Sequence, residues 1–178
     1  MKKPRHFLRA EIASQGATAL LSSDLVQRGF GEKIGEKWWL FPEEALFLLE
    51  SGKIEVYSGD TLLDPKAFLE IMHDDSKFIQ RYVVYKDLRS RGYLVRAGAK
   101  YGADFRVYEK DFSISKTPRS QRPHSRYLVL VVNDDAKFDV KLILGLNRVA
   151  HSVNKRLWLA VVDRDLGVTY VELKRVAP

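Results

Sequence analysis

Residues 100–132 read KYGADFRVYEKDFSISKTPRSQRPHSRYLVLVV: a strand, a long polar loop and a second strand. Alternation in ADFRVYE puts Ala103, Phe105 and Val107 on one face and Asp104, Arg106 and Tyr108 on the other, the period of a half-buried strand. His124 closes the loop just before the apolar run YLVLVV. The pattern therefore sets a tyrosine on a polar strand face and returns a histidine toward it.

Working outward, YLVRAG before this stretch and RLWLAVVD and VTYVEL after it are further strands, the last two joined by a hairpin over Asp165–Gly167. One helix, DVKLILGLNRVAHSVNK, precedes that pair. Upstream, DPKAFLEIMHDDSKFIQRYVVYKDLRSRGY reads as a helix, a break near Asp74 and Asp75, and a second helix. In the second, Phe78, Tyr82, Tyr85 and Leu88 or Arg89 recur at helical spacing, and Gly92 ends it. Nearer the N-terminus, FLRAEIASQGATALLSS suggests two short strands around Gly16, and SSDLVQRGFG a short helix capped by Ser22 or Ser23. KWWLFPEEALFLLESGKIEVYSG then gives strand, helix, strand. Its helix starts at Pro42, carries Glu43 and Glu44 where the dipole favours anions, buries Ala45, Leu46 and Leu49, and stops at Gly52. The fold class is α+β: a small N-terminal α+β domain over 1–75, then a C-terminal mixed-sheet α/β domain over 76–178.

The net charge of +7 is unevenly placed. Residues 1–75 carry 9 Lys/Arg against 13 Asp/Glu, net −4, whereas residues 76–178 carry 21 against 10, net +11. An acidic module joined to a basic one fits a polyanion-binding domain, with nucleic acid as the leading partner. The chain has no cysteine, which excludes disulfides and thiolate metal sites. Its apolar runs are of strand length and too short to span a bilayer, and the basic start MKKPRHFLRAEI is followed by no apolar signal core. A cytoplasmic protein without a membrane partner is expected.

In the last helix, Leu142, Leu146, Val149 and Val153 fall on one side at about 100° per residue. Arg148 and Lys155 project together on roughly the other side, about 10 Å apart. By residue type alone this is an amphipathic helix, Tyr108 an ordinary strand tyrosine and His124 a loop histidine capping a strand. His151, mid-helix, is a rival proton donor, while His6 and His73 lie in the acidic half and read as structural or exposed.

Taken together, RYVVYKDLRSRGYLVRAGAKYGADFRVYEK, HSRYLVLVV and NRVAHSVNKRLWLAVVD resemble the catalytic domain of the archaeal tRNA-splicing endonucleases. GFGEKIGEKWWLFPEEALFLLESGKIEV is similar to that family's small N-terminal domain. The resemblance implies a metal-independent, cofactor-free endoribonuclease (a tRNA-intron lyase). Its substrate would be precursor tRNA, cut at the intron–exon junctions of a bulge–helix–bulge to leave 2′,3′-cyclic phosphate and 5′-hydroxyl ends. The family's catalytic tyrosine falls on Tyr108, its histidine on His124 and its lysine on Lys155, while Arg148 matches an arginine that clamps a bulge base by stacking. The sixteen positions from Tyr108 to His124 exceed the family's short spacing, and the extra residues around SKTPRSQRP are basic and turn-forming.

Those residue types suit the chemistry. RNA carries its own nucleophile, the 2′-hydroxyl, so the enzyme needs a base, an acid for the 5′-oxygen and a cation for the developing phosphorane charge. The resemblance makes these Tyr108, His124 and Lys155 respectively. An imidazole with a pKa of about 6.5 suits proton donation near neutrality. An ordinary phenol, with a pKa of about 10, is ionised in only about one part in a thousand at pH 7. In-line positioning of an unstacked bulge nucleotide must supply much of the remaining acceleration.

Two other readings stand beside this one. Asp104 with Glu172 and Lys174 of VELK imitates the D…ExK pattern of magnesium-dependent, restriction-type DNA nucleases. A non-catalytic RNA-binding subunit of the same family is the other, although such a subunit is expected to lack part of the triad. One catalytic domain offers one triad for two cuts, so the family resemblance implies four subunits, either four identical chains or two catalytic chains with two structural ones. It also implies that the acidic DRDLG loop, with Asp163 and Asp165, docks into a basic groove on a neighbour.

Overall fold

The computed structural model describes residues 8–13, 16–110, 124–137 and 139–176. The basic insertion around SKTPRSQRP lies outside these described residues, as do the N-terminal MKKPRHF and His6. The described residues divide into two compact units, one running to Phe78 and the other from Ile79.

The first unit is a six-stranded sheet with three helices on short connections. Its strands are β1 (Leu8–Ala13), β2 (Gly16–Ala19), β3 (Glu32–Ile34), β4 (Lys37–Leu40), β5 (Ile54–Ser58) and β6 (Thr61–Leu63), in the order β3-β4-β2-β1-β5-β6. Among the described pairings, β1 and β5 run parallel and the other neighbours are antiparallel. The helices are α1 (Ser23–Gln27), α2 (Pro42–Glu50) and α3 (Pro65–Ile71). Ser22 caps α1 through Oγ and Asp64 caps α3, accepting the Ala67 N–H at 2.7 Å, so these two helices start on a side-chain oxygen. In α2 the first-turn carboxylates do more than face the dipole: Glu43 and Glu44 are both buried, and Glu44 Oε1 accepts the Gly31 N–H at 3.0 Å. The sequence reading missed β3 and β6. Both are three-residue edge strands without apolar alternation, and their pairing partners rather than their composition make them strands.

The second unit contains α4 (Phe78–Ser90), β7 (Tyr93–Ala97), a 3₁₀ turn at Ala99–Tyr101, β8 (Phe105–Lys110), β9 (Tyr127–Asn133), α5 (Val140–Ser152), β10 (Arg156–Val162) and β11 (Val168–Leu173). The sheet runs β11-β10-β9-β8-β7, antiparallel except for the parallel pair β9 and β10 that α5 connects. The two faces are distinguished by partner. On one, α4 packs Tyr85 against Phe105 with ring centroids 6.1 Å apart. There too, Asp87 accepts the Tyr170 hydroxyl at 2.8 Å while pairing with Arg91 at 2.9 Å. Trp158 lies on this face, stacked on Tyr127 at 3.8 Å and beside Tyr170 at 5.9 Å. On the other, Leu146 and Ala150 of α5 bury Leu128, Leu157 and Ala103.

The predicted strand register survives with one change. Phe105 and Val107 are buried on the α4 face, but Ala103 precedes the strand and packs toward α5. The cause is the tight turn at 98–102. Gly102 adopts a left-handed φ of 73°, and a Cβ on Gly98 would stand 2.7–2.8 Å from backbone atoms of Ala103 and Phe105. The apolar stripe of α5 is also displaced: Leu142, Val149 and Val153 stay 37–49% exposed, whereas Ala150 is fully buried. Leu146 and Ala150, one turn apart, form the stripe that meets the sheet, so the helix is rolled away from Leu142, Val149 and Val153.

These glycines make opposite predictions. Gly98→Ala must overpack backbone and is expected to cost about 1–3 kcal/mol in urea denaturation. Gly145, mid-α5, has nothing within 4 Å of the point where an added methyl would stand. Gly145→Ala should therefore stabilise the same transition by about 0.5–1 kcal/mol.

Candidate active site

Tyr108, His124 and Lys155 come from three segments, and the sheet brings those segments side by side. Val107 pairs with Tyr127, and the Arg126 N–H donates to the Val107 carbonyl at 2.8 Å. Tyr108 thus stands at the C-terminal end of β8 beside the entry to β9, one residue beyond the last registered pair. Arg126 bridges the same two strands through Glu109 at 3.1 Å. In the parallel pair, Arg156 lies opposite Tyr127 and its N–H donates to the Arg126 carbonyl at 2.9 Å, which sets Lys155 beside the residues following His124. With neighbouring strands about 4.8 Å apart, the backbones of Tyr108 and Lys155 are separated by about 10 Å, a gap two long side chains can close.

Direction matters as much as distance. Tyr108 shares the alternation of Arg106, which is paired with Leu128 on the α5 face. Lys155 has the parity of Leu157, whose partner is also Leu128. Both side chains therefore belong to the α5 side of the sheet. The Lys155 ammonium donates to the Ser125 carbonyl at 2.5 Å, anchoring it to the residue next to His124. His124 itself is exposed, Ser125 is buried and Tyr108 is half-buried.

The lysine is not carried on the helix, as the sequence suggested. Helix α5 ends at Ser152, and Asn154 turns the chain with a φ of 54°. The Asn154 N–H donates to the His151 carbonyl at 3.1 Å and the Lys155 N–H to the Ala150 carbonyl at 2.7 Å. This is a Schellman closure with asparagine in the left-handed position, and it delivers Lys155 to the first position before β10. Arg148 remains on α5 and is exposed, so it and Lys155 are not two rungs of one helical face. Burial pushes the Lys155 ammonium below the ordinary lysine range; Tyr101 opposes the shift, while Lys100 and Arg106 add to it.

The rival metal grouping does not assemble. Asp104 Oδ2 accepts the Val131 N–H at 2.7 Å, splicing the start of β8 onto β9. Glu172 sits on β11, where it accepts from Trp158 Nε1 at 3.2 Å and pairs with Arg156 at 3.6 Å. Three strand spacings, about 14 Å, separate the two strands. His151 is exposed on the last turn of α5, and His73 is exposed in the first unit, bonded to the Glu70 carbonyl at 2.8 Å. In the loop between β10 and β11, the Asp163 carboxylate accepts N–H groups of Asp165 at 2.9 Å and Gly167 at 2.7 Å, so it shapes its own turn; both aspartates are exposed. No described helix is long and apolar enough to cross a membrane. Sequence reasoning passed over Ser125, Asn154 and Tyr101. The Asn-Lys pair after an apolar helix was the available signal for the second, and no local pattern marks the other two.

Comparison with known proteins places both units in one family. The family model described as tRNA intron endonuclease, catalytic C-terminal domain, matches residues 78–170, and the one described as its N-terminal domain matches residues 18–69. A tRNA-splicing endonuclease of Thermococcus onnurineus is 36% identical over 178 residues, covering 99% of each chain. One from Methanothermobacter thermautotrophicus is 32% identical over 94% of this chain and 95% of its own. One from Nanoarchaeum equitans is 39% identical over 74% of this chain and 86% of its own.

The Schellman closure carries its own test. Asn154→Gly should leave stability within about half a kcal/mol, because glycine accepts a positive φ. Asn154→Val, with a branched side chain there, should cost about 1–2 kcal/mol by chemical denaturation.

Proposed function

Because the chain belongs to the tRNA intron endonuclease family, we propose that it cleaves precursor tRNA at intron–exon junctions, by metal-independent transesterification within a bulge–helix–bulge. The observation that carries this reading is the meeting of Tyr108, the His124–Ser125 segment and Lys155 at adjoining ends of β8, β9 and β10. In it, Tyr108 takes the proton of the 2′-hydroxyl, whose oxygen attacks the adjacent phosphorus. The bond to the 5′-oxygen breaks as His124 protonates that oxygen, leaving a 2′,3′-cyclic phosphate and a 5′-hydroxyl. Lys155 stabilises the charge gathering on the non-bridging oxygens; in a partly desolvated position an ammonium acts more strongly than in water.

The remaining assignments follow the same reading. Residues 76–178 form the catalytic RNA-binding domain and residues 1–75 the smaller N-terminal one. The exposed Arg148 guanidinium stacks on a bulge base, a contact of about 1–3 kcal/mol. Asp163 and Asp165 dock on a neighbouring subunit of a four-subunit assembly, built from four identical chains or from two catalytic and two structural ones, in the cytoplasm.

Two measurements test this. His124→Ala should lower single-turnover cleavage of a bulge–helix–bulge RNA by at least two orders of magnitude, leave affinity within about threefold, and be mirrored by wild-type cleavage that persists in excess EDTA; abolition by EDTA would end the metal-independent reading. For assembly, Asp163→Asn with Asp165→Ala keeps an acceptor for the turn while removing both charges, and should sediment as a dimer. An unchanged tetramer would reject the docking role.

A further inference from the structure

Among the described residues, the Lys155 ammonium meets a carbonyl and an aromatic ring. One is the Ser125 carbonyl at 2.5 Å, and the other is the ring of Tyr101, whose centroid lies 5.7 Å away. Lys100 approaches the same ring at 4.8 Å. An ammonium within about 6 Å of an aromatic centroid is drawn to the negative π face. Here that attraction acts against repulsion: Lys100 from the 3₁₀ turn and Arg106 from β8 both oppose charge on Lys155, while the Ala150 carbonyl of α5 accepts its backbone N–H and leaves the ammonium to other partners. A flexible lysine between two like charges would swing toward solvent unless something held it.

The ring is fixed independently of the lysine. Tyr101 ends the 3₁₀ turn, its N–H donating to the Gly98 carbonyl at 2.8 Å, and Gly102 closes the turn onto Ala99 at 2.9 Å. Its side chain packs against the cluster of Leu128, Leu146, Ala150 and Leu157. The Gly98 and Gly102 geometry that displaces Ala103 from the strand is what points Tyr101 there. We propose that Tyr101 is a positioning residue for the proposed reaction: its ring face and the Ser125 carbonyl together hold the Lys155 ammonium in place, leaving its third N–H direction for a phosphate oxygen. This rests on the reading of Lys155 as the charge stabiliser.

The test uses the full-length chain in its active assembly. Tyr101→Phe keeps the π face, and Tyr101→Leu keeps an apolar filler without it. Single-turnover cleavage of a bulge–helix–bulge RNA should fall on the order of tenfold in the Leu variant, with RNA affinity unchanged, and stay within about threefold of wild type in the Phe variant. In the same variants, Lys155 is followed by NMR of ¹³C-dimethylated lysines, assigned with Lys155→Arg. Its titration should move to lower pH in Tyr101→Leu and return in Tyr101→Phe, because losing the π face disfavours the charged form. A series of increasingly fluorinated phenylalanines at 101 preserves the packing if leucine does not, and the rate should fall with each fluorine. Equal rates across that series, or an unmoved Lys155 titration, would overturn the inference while Lys155→Ala remained inactive. Wild-type cleavage by Lys155→Ala would instead remove the catalytic reading of the lysine, and the role of Tyr101 with it.

Discussion

Strands β9 and β10 run parallel, and that single fact constrains the rest of the second unit. A parallel pair cannot be closed by a tight turn; the chain must cross over, and here it does so through α5. The crossover buries Leu128 and Leu157 under Ala150 and Leu146 and must then reverse into β10. Reversal takes place in the left-handed turn at Asn154, one residue before Lys155. Parallel pairing also puts the starts of β9 and β10 at the same end, so the residues entering each strand become neighbours. The antiparallel β8 adds its own finish to that end. Three distant segments become neighbours because the topology brings their ends to one edge.

Much of this was legible beforehand, for identifiable reasons. All five strands of the second unit are runs rich in branched and aromatic residues, and α4 shows its buried positions at plain helical spacing. The ADFRVYE alternation correctly separated Phe105 and Val107 from Arg106 and Tyr108. Periodicity failed on α5 because a broad apolar stripe does not fix the roll of a helix: it favoured Leu142, Val149 and Val153, whereas Leu146 and Ala150 face the sheet. It failed again at the end of α5, since asparagine is a poor helix former that also accepts the left-handed turn, and a repeat count extends through it. The contacts of Lys155 with Ser125, 30 positions away, and with the still more distant Tyr101 were beyond reach, because they form only after the sheet has assembled.

The electrostatics of this end of the sheet form a graded arrangement. Basic residues dominate the second unit, and at Lys155 burial disfavours the charged form. Cations such as Arg126, paired with Glu109, are exposed and screened by water. A polyanion approaching this surface would meet solvated charges that attract it without orienting it, and at Lys155 a partly dehydrated charge held by carbonyl and ring. That division between collecting and orienting follows from burial rather than from charge count. Asp104 contributes from beneath, committing its carboxylate to the Val131 N–H and so fixing where β8 begins.

The aromatic face opposite the site has a different kind of consequence. Of the three tryptophans, Trp38 and Trp39 lie on β4 in the first unit and Trp158 alone lies in the second, in contact with Tyr93, Tyr127 and Tyr170. Each unit therefore carries its own intrinsic fluorophore. Replacing Trp38 and Trp39 by phenylalanine would leave a single emitter fed by adjacent tyrosines, whose spectrum follows the melting of the second unit without interference from the first.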